Sequence, residues 1–116
     1  MATDAIRTAT DVTLPASIRR LVELAVHAVD PARVILYGSR ARGDARQNSD
    51  YDMAFVFPED RRGQWVRFLA DVDDAPVTLL TVDLVDWNEA SDSLRERICS
   101  EGITLYERAE SGTGKL

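Results

Sequence analysis

One stretch limits what this chain can fold into: Val34 to Phe57, VILYGSRARGDARQNSDYDMAFVF. An apolar run, Val34-Ile35-Leu36-Tyr37, stops at Gly38-Ser39. Ten residues later a second apolar run begins through Asp50-Tyr51-Asp52. The pattern predicts strand, tight turn, short helix, polar loop and strand, with two carboxylates at the mouth of the second strand. Side chains alternate faces along a strand. Asp50 and Asp52 therefore share one face, and Tyr51, Met53, Phe55 and Phe57 share the other.

Two like charges side by side repel. A divalent cation relieves that repulsion, and Mg²⁺ favours one or two carboxylates together with substrate phosphate oxygens and water. Gly38 permits backbone angles closed to other residues and a close approach by a phosphate. A helix starting near Ser39 would offer free N–H groups to an anion, with the Ser39 hydroxyl beside them. Arg40, Arg42 and Arg46 lie between turn and carboxylates, and arginine presents a fixed cation and a fork of donors suited to phosphate. Anion donors, cations and a metal-binding pair within one short segment point to nucleoside triphosphate chemistry.

The remaining chain supplies a frame for that segment. Ile18, Leu21, Val22, Ala25 and Val29 recur at helical spacing from about Pro15 to Val29, with Thr13 as a cap. Strands are expected over about Arg33 to Tyr37, Asp50 to Phe57 and Val77 to Val85, with a last extended piece at Ile103 to Tyr106. The Gly-Ser turn leads into a short helix to about Asp44. Further helices are expected over Arg61 to Val72, with Trp65, Phe68, Leu69 and Val72 inward, and over Ser91 to Ser100, with Leu94, Ile98 and Cys99 inward and Gly102 as the stop. This order implies an α/β (α+β) fold: a mixed β-sheet with helices packed on it. Asp83 stands in an otherwise apolar strand, where a lone carboxylate needs a partner. If that strand neighbours the one carrying Asp50 and Asp52, three acids converge. Asp86, the runner-up for the third acid, lies beyond the expected strand end, where a helix-capping or surface role suits it better. His27, the sole histidine, reads as a surface or packing residue. Trp65 and Phe68 read as core, Trp87 as packing, and Asp71, Asp73 and Asp74 as a solvated helix end.

Length and charge narrow the class. The 116 residues suffice for one domain, expected over 15–108, with a flexible N-terminus at 1–14 and a disordered tail at 109–116. A net charge of −6 argues against a nucleic-acid surface, while a nucleotide site needs only local cations. No apolar run is long enough for a membrane span. The opening residues have no apolar signal core, and the single cysteine, Cys99, can form no internal disulfide. A cytoplasmic location is expected.

Gly38-Ser39, ten residues, then Asp50-x-Asp52 resembles the signature of the nucleotidyltransferase superfamily that includes DNA polymerase beta. The longer string GSRARGDARQNSDYD is similar to the minimal nucleotidyltransferase (MNT) family. The resemblance covers roughly Ile18 to Glu107. It implies a metal-dependent transfer of AMP from ATP, with two Mg²⁺ ions held by Asp50, Asp52 and Asp83, and Asp83 able to take the proton of the attacking hydroxyl. Gly38, Ser39 and Arg42 would hold phosphates, and Ser49 would orient the metal strand. It further implies that the acceptor is a tyrosine of a partner HEPN-domain toxin, which this chain would neutralise as an antitoxin. A second copy or another protein would complete the site. Two other readings stay open: a small-molecule transferase of the aminoglycoside type, and an antitoxin that acts by contact alone.

Overall fold

Helix α1, Ala16–Val29, carries an unbroken apolar stripe: Ile18, Leu21, Val22, Ala25 and Val29 are all buried. Its start is not capped by Thr13; the N-cap residue is Pro15 and no side chain caps it. Asp30 takes a left-handed conformation, φ 50°, and its N–H bonds the Val26 carbonyl, which closes the helix before Pro31. The computed structural model describes residues 13–108. The expectations for the first dozen residues and for the tail lie outside the described residues.

Strand β1, Arg33–Tyr37, leads through Gly38 to the four-residue helix α2, Ser39–Arg42. Strand β2, Tyr51–Val56, is followed by helix α3, Arg62–Asp74, and strand β3, Val82–Asp86. A 3₁₀ turn at Trp87–Glu89, helix α4 at Asp92–Glu101 and strand β4 at Ile103–Glu107 complete the described chain. The four strands lie in the order β3-β2-β1-β4. β1 is antiparallel to both β2 and β4, whereas β2 and β3 are parallel. A parallel pair needs a crossover, and α3 is that crossover.

Alternation along β2 sets the layers. Tyr51, Met53 and Phe55 enter the larger core with α1 and α3, while Ala54 faces the other way. An aromatic cluster fills that larger core: the Phe55 and Trp65 ring centres are 4.9 Å apart, and Trp65 also meets Phe57 at 5.5 Å. On the second face α4 places Ile98 against Ile35, Tyr37 and Ala54. α4 packs on β1 and leaves the Asp83 end of this face to solvent.

Three local expectations are corrected. The third strand begins at Val82 rather than Val77: Leu79 is fully exposed, and a Thr78 hydroxyl bonded to the Leu80 N–H turns the chain there. Cys99 is exposed rather than inward, because Ile98 alone occupies the buried line of α4 at that level. Gly102 stops α4 through space and not through a left-handed angle: φ is −71°. A Cβ there would run into the Ile98 carbonyl oxygen and the Ile35 side chain.

Phe55 is fully buried at the centre of the aromatic cluster. Phe55→Ala should lower unfolding free energy by about 3–5 kcal/mol through lost burial and a cavity. Denaturant titration checks this: the midpoint should fall with the slope unchanged, and a loss below about 1 kcal/mol would mean the site collapses freely.

Candidate functional site

The site is assembled by strand register. Tyr37 pairs with Asp52 across the antiparallel β1–β2 ladder, and Asp52 pairs with Asp83 across the parallel β2–β3 ladder. Tyr37, Asp52 and Asp83 therefore occupy one row on the open face. Asp50 precedes β2 at its mouth and is exposed. Gly38 follows Tyr37 with φ +78°, and a Cβ there would come within 2.5 Å of Asp52 Oδ2. Gly38 thus serves two needs: the backbone angle, and room for the Asp52 carboxylate against the turn.

Electrostatics marks Asp52 as the strained member. Its carboxyl is held above the ordinary range, first by burial, then by the charges of Asp83 and Asp50, with Glu101 adding to the effect and Arg97 opposing it. The Tyr37 phenol is pushed up to about 12, chiefly by burial and then by Asp52 and Asp83. It stays neutral at working pH.

As they stand, no three His, Cys, Asp or Glu side chains among the described residues form a group able to hold a metal ion. The structure brings Asp52 and Asp83 side by side, with Asp50 acting on Asp52 through its charge. That arrangement fits Mg²⁺, which takes one or two carboxylates and completes its shell with phosphate oxygens and water. The repulsion on Asp52 is what such a cation would relieve.

The other predicted residues divide by what they touch. α2 is a single turn, so anion-holding capacity rests on the Gly38 turn and nearby cations rather than on a helix dipole. Ser39 opens α2 and is half-buried. Arg42 Nη1 lies 3.0 Å from Glu101 Oε2, and its Nε lies 3.2 Å from Asp44. Arg40 is spent on structure: it donates to the Ser49 and Gln47 carbonyls and lies over the Tyr51 ring at 4.4 Å. Ser49 ties the loop before β2, its hydroxyl accepting the Arg46 N–H at 2.8 Å. Asp86 is the last residue of β3 rather than beyond it, and it is buried rather than on the surface; the capping role holds, its side chain accepting the Asn88 N–H of the 3₁₀ turn. Trp87 packs against the smaller core with Arg95 over its ring.

Sequence reasoning missed Arg97 and Glu101, both on α4. Glu101 Oε1 accepts the Gly38 N–H at 3.0 Å, and Arg97 lies over the Tyr37 ring at 5.8 Å. Their spacing of four along a helix was a visible signal for a pair. That the pair meets the Gly38 turn follows from α4 packing on β1, which local sequence does not specify.

A family model described as polymerase beta, nucleotidyltransferase, matches residues 19–111. The chain belongs to this nucleotidyltransferase family. It is a domain of the minimal nucleotidyltransferase type, with the mixed sheet and helices of the polymerase beta-like fold. A mutant of the MntA–HpeT toxin–antitoxin is 25% identical, with TM-score 0.57 over 84% of this chain and 76% of that one. A toxin–antitoxin with AMP-PNP is 26% identical, with TM-score 0.54 over 78% and 74%. A structure provisionally assigned as a minimal nucleotidyltransferase is 28% identical, with TM-score 0.54 over 72% and 84%. No curated protein sequence matches the chain. Among the described residues no helix is long and apolar enough to cross a membrane.

The sign of Asp52's shift yields a test. A carboxyl whose folded pKa is raised contributes stability below its unfolded value, ordinarily 3.8. That stability is lost as pH rises through the folded value. At neutral pH and without divalent cation, Asp52→Asn should therefore raise the thermal midpoint. The gain should vanish as pH falls below the ordinary carboxylate range and shrink when Mg²⁺ is added. A variant less stable than the parent at pH 7 would contradict the finding that the Asp52 charge, through burial first and its acidic neighbours second, costs stability.

Proposed function

We propose that this protein transfers AMP from ATP to a hydroxyl, a tyrosine of a HEPN-class toxin, and so acts as the antitoxin of a pair. The observation that carries the reading is the register of Asp52 and Asp83 beside the Gly38 turn in a domain of this family. Support for the partner and nucleotide comes from the toxin–antitoxin relatives, one of them with AMP-PNP. A single, exposed cysteine suits a reducing compartment, and the proposed location is the cytoplasm.

Asp52 and Asp83, with Asp50 at the strand mouth, are the residues that would hold Mg²⁺. Bound there, Mg²⁺ would neutralise charge on the attacking and leaving oxygens of an in-line displacement. The acceptor oxygen forms a bond to the α-phosphorus as the bond from the α-phosphorus to the bridging oxygen breaks, and pyrophosphate leaves. Asp83, exposed on the row, takes the hydroxyl proton. The Gly38 N–H, the Ser39 hydroxyl and the Arg42 guanidinium receive the outgoing phosphates. Ser49 holds the loop that delivers Asp50 to the strand mouth. Arg40, clamped to that loop and to Tyr51, keeps it in place.

Incubation with α-labelled ATP and Mg²⁺, with and without the product of the adjacent gene, tests the proposal. Label should reach the partner, and Asp52→Asn or Asp83→Asn should cut transfer by at least about 100-fold. Tight binding of the partner without label transfer would favour neutralisation by contact. Label on a small hydroxylated molecule and never on a protein would favour the small-molecule class.

A further inference from the structure

Glu101 ends α4 with its carboxylate on the Gly38 turn. Oε1 accepts the Gly38 N–H at 3.0 Å and lies 3.6 Å from Arg97 Nη2; Oε2 lies 3.0 Å from Arg42 Nη1. Both oxygens are gripped, by one backbone N–H and two guanidinium groups, and the side chain is only 19% exposed. An oxyanion held by N–H and paired guanidinium donors is how proteins hold phosphate. The occupied N–H belongs to the turn against which Asp52 lies. Glu101 also brings another negative charge to a place already holding Asp50, Asp52 and Asp83, and its charge acts on Asp52 and Tyr37.

A carboxylate in that position has a bland role, to fix the end of α4. That role is already filled. Gly102 packs so closely on Ile35 and the Ile98 carbonyl that a Cβ has no room, and the Gly102 N–H bonds Ile98 at 2.8 Å. The backbone at this corner is held by Gly102 packing and its N–H bond, so the end of α4 does not depend on the Glu101 side chain.

We propose that Glu101 is an internal stand-in for a nucleotide phosphate: in the free protein it holds Arg42 and Arg97 in place, and it yields both arginines and the Gly38 N–H when a polyphosphate arrives. Arg97 thereby becomes a phosphate-binding residue supplied by α4, joining Arg42 from α2. The proposal rests on the nucleotide reading of the same site. Binding proceeds by exchange, one anion for another on donors already arranged, so the arginines need little reordering when the nucleotide enters.

The test measures binding of inorganic triphosphate and of AMP-PNP, each with Mg²⁺, to the full chain by calorimetry. Glu101→Gln keeps an acceptor for the Gly38 N–H and removes the competing charge; both ligands should bind about five- to tenfold tighter. Arg97→Ala should weaken both by a similar factor, with Arg97→Lys partly restoring triphosphate affinity. Thermal melts establish that each variant is folded, and Glu101→Ala serves as a second removal of the charge. Unchanged or weaker binding by both Glu101 variants would overturn the proposal and leave Glu101 a scaffold for the arginines. So would a lack of triphosphate binding by every form. Tighter triphosphate binding in Glu101→Gln with no label transfer to any partner would uphold the stand-in and remove the transfer reading. Transfer with Glu101→Gln no tighter would do the reverse.

Discussion

Asp52 and Asp83 stand in register on neighbouring parallel strands, two like charges that the rest of the sheet must hold side by side. β2 sits between β1 and β3, with its inner face committed to the aromatic core of Phe55, Trp65 and Phe68. Its outer face carries Asp52 at the site end and Ala54 against the smaller core. Sliding β2 by one residue would exchange the two sets, bringing carboxylates into the core and aromatic rings into water. The core therefore fixes the register, and the register fixes the acids. The scaffold holds the charges together against burial and their mutual repulsion.

Much of this arrangement is legible in the residues alone. Alternation in Tyr51-Asp52-Met53 assigns the two faces of β2 without any structure, and the Gly38-to-Asp50 spacing marks where strand and turn must meet. The stripe on α1 is equally plain, since its five apolar positions are all buried. The strand expected over Val77 to Val85 is too long because Val77, Leu79 and Leu80 continue the apolar pattern of the true strand. Its first part is a turn, held by the Ser17–Thr78 hydroxyl pair and the Thr78–Leu80 bond, so hydrophobicity there does not mean burial. Arg97 and Glu101 escaped because their meaning is tertiary: α4 reaches the Gly38 turn only because it packs on β1.

The cations around the turn carry different work. Arg40 is locked to the Ser49 and Gln47 carbonyls and the Tyr51 ring, which makes it a strut. Arg42 and Arg97 remain partly exposed and pair with Glu101, a partner that a stronger anion can displace. On the proposed reading, these two arginines are the cations that would meet phosphate, held beside a row of acids that a divalent cation would quiet. In the free protein, part of that unlike-charge pairing is made internally.

The central claim is that the in-register acids and the Gly38 turn form one site for a divalent cation and a nucleotide together. The most direct measurement is the linkage between them: Mn²⁺ affinity, followed by electron paramagnetic resonance, with and without AMP-PNP. Each ligand should tighten the other by about tenfold or more, and Asp83→Asn should abolish that coupling while the protein stays folded. Mn²⁺ and nucleotide that bind independently, or a coupling that survives in Asp83→Asn, would contradict the account.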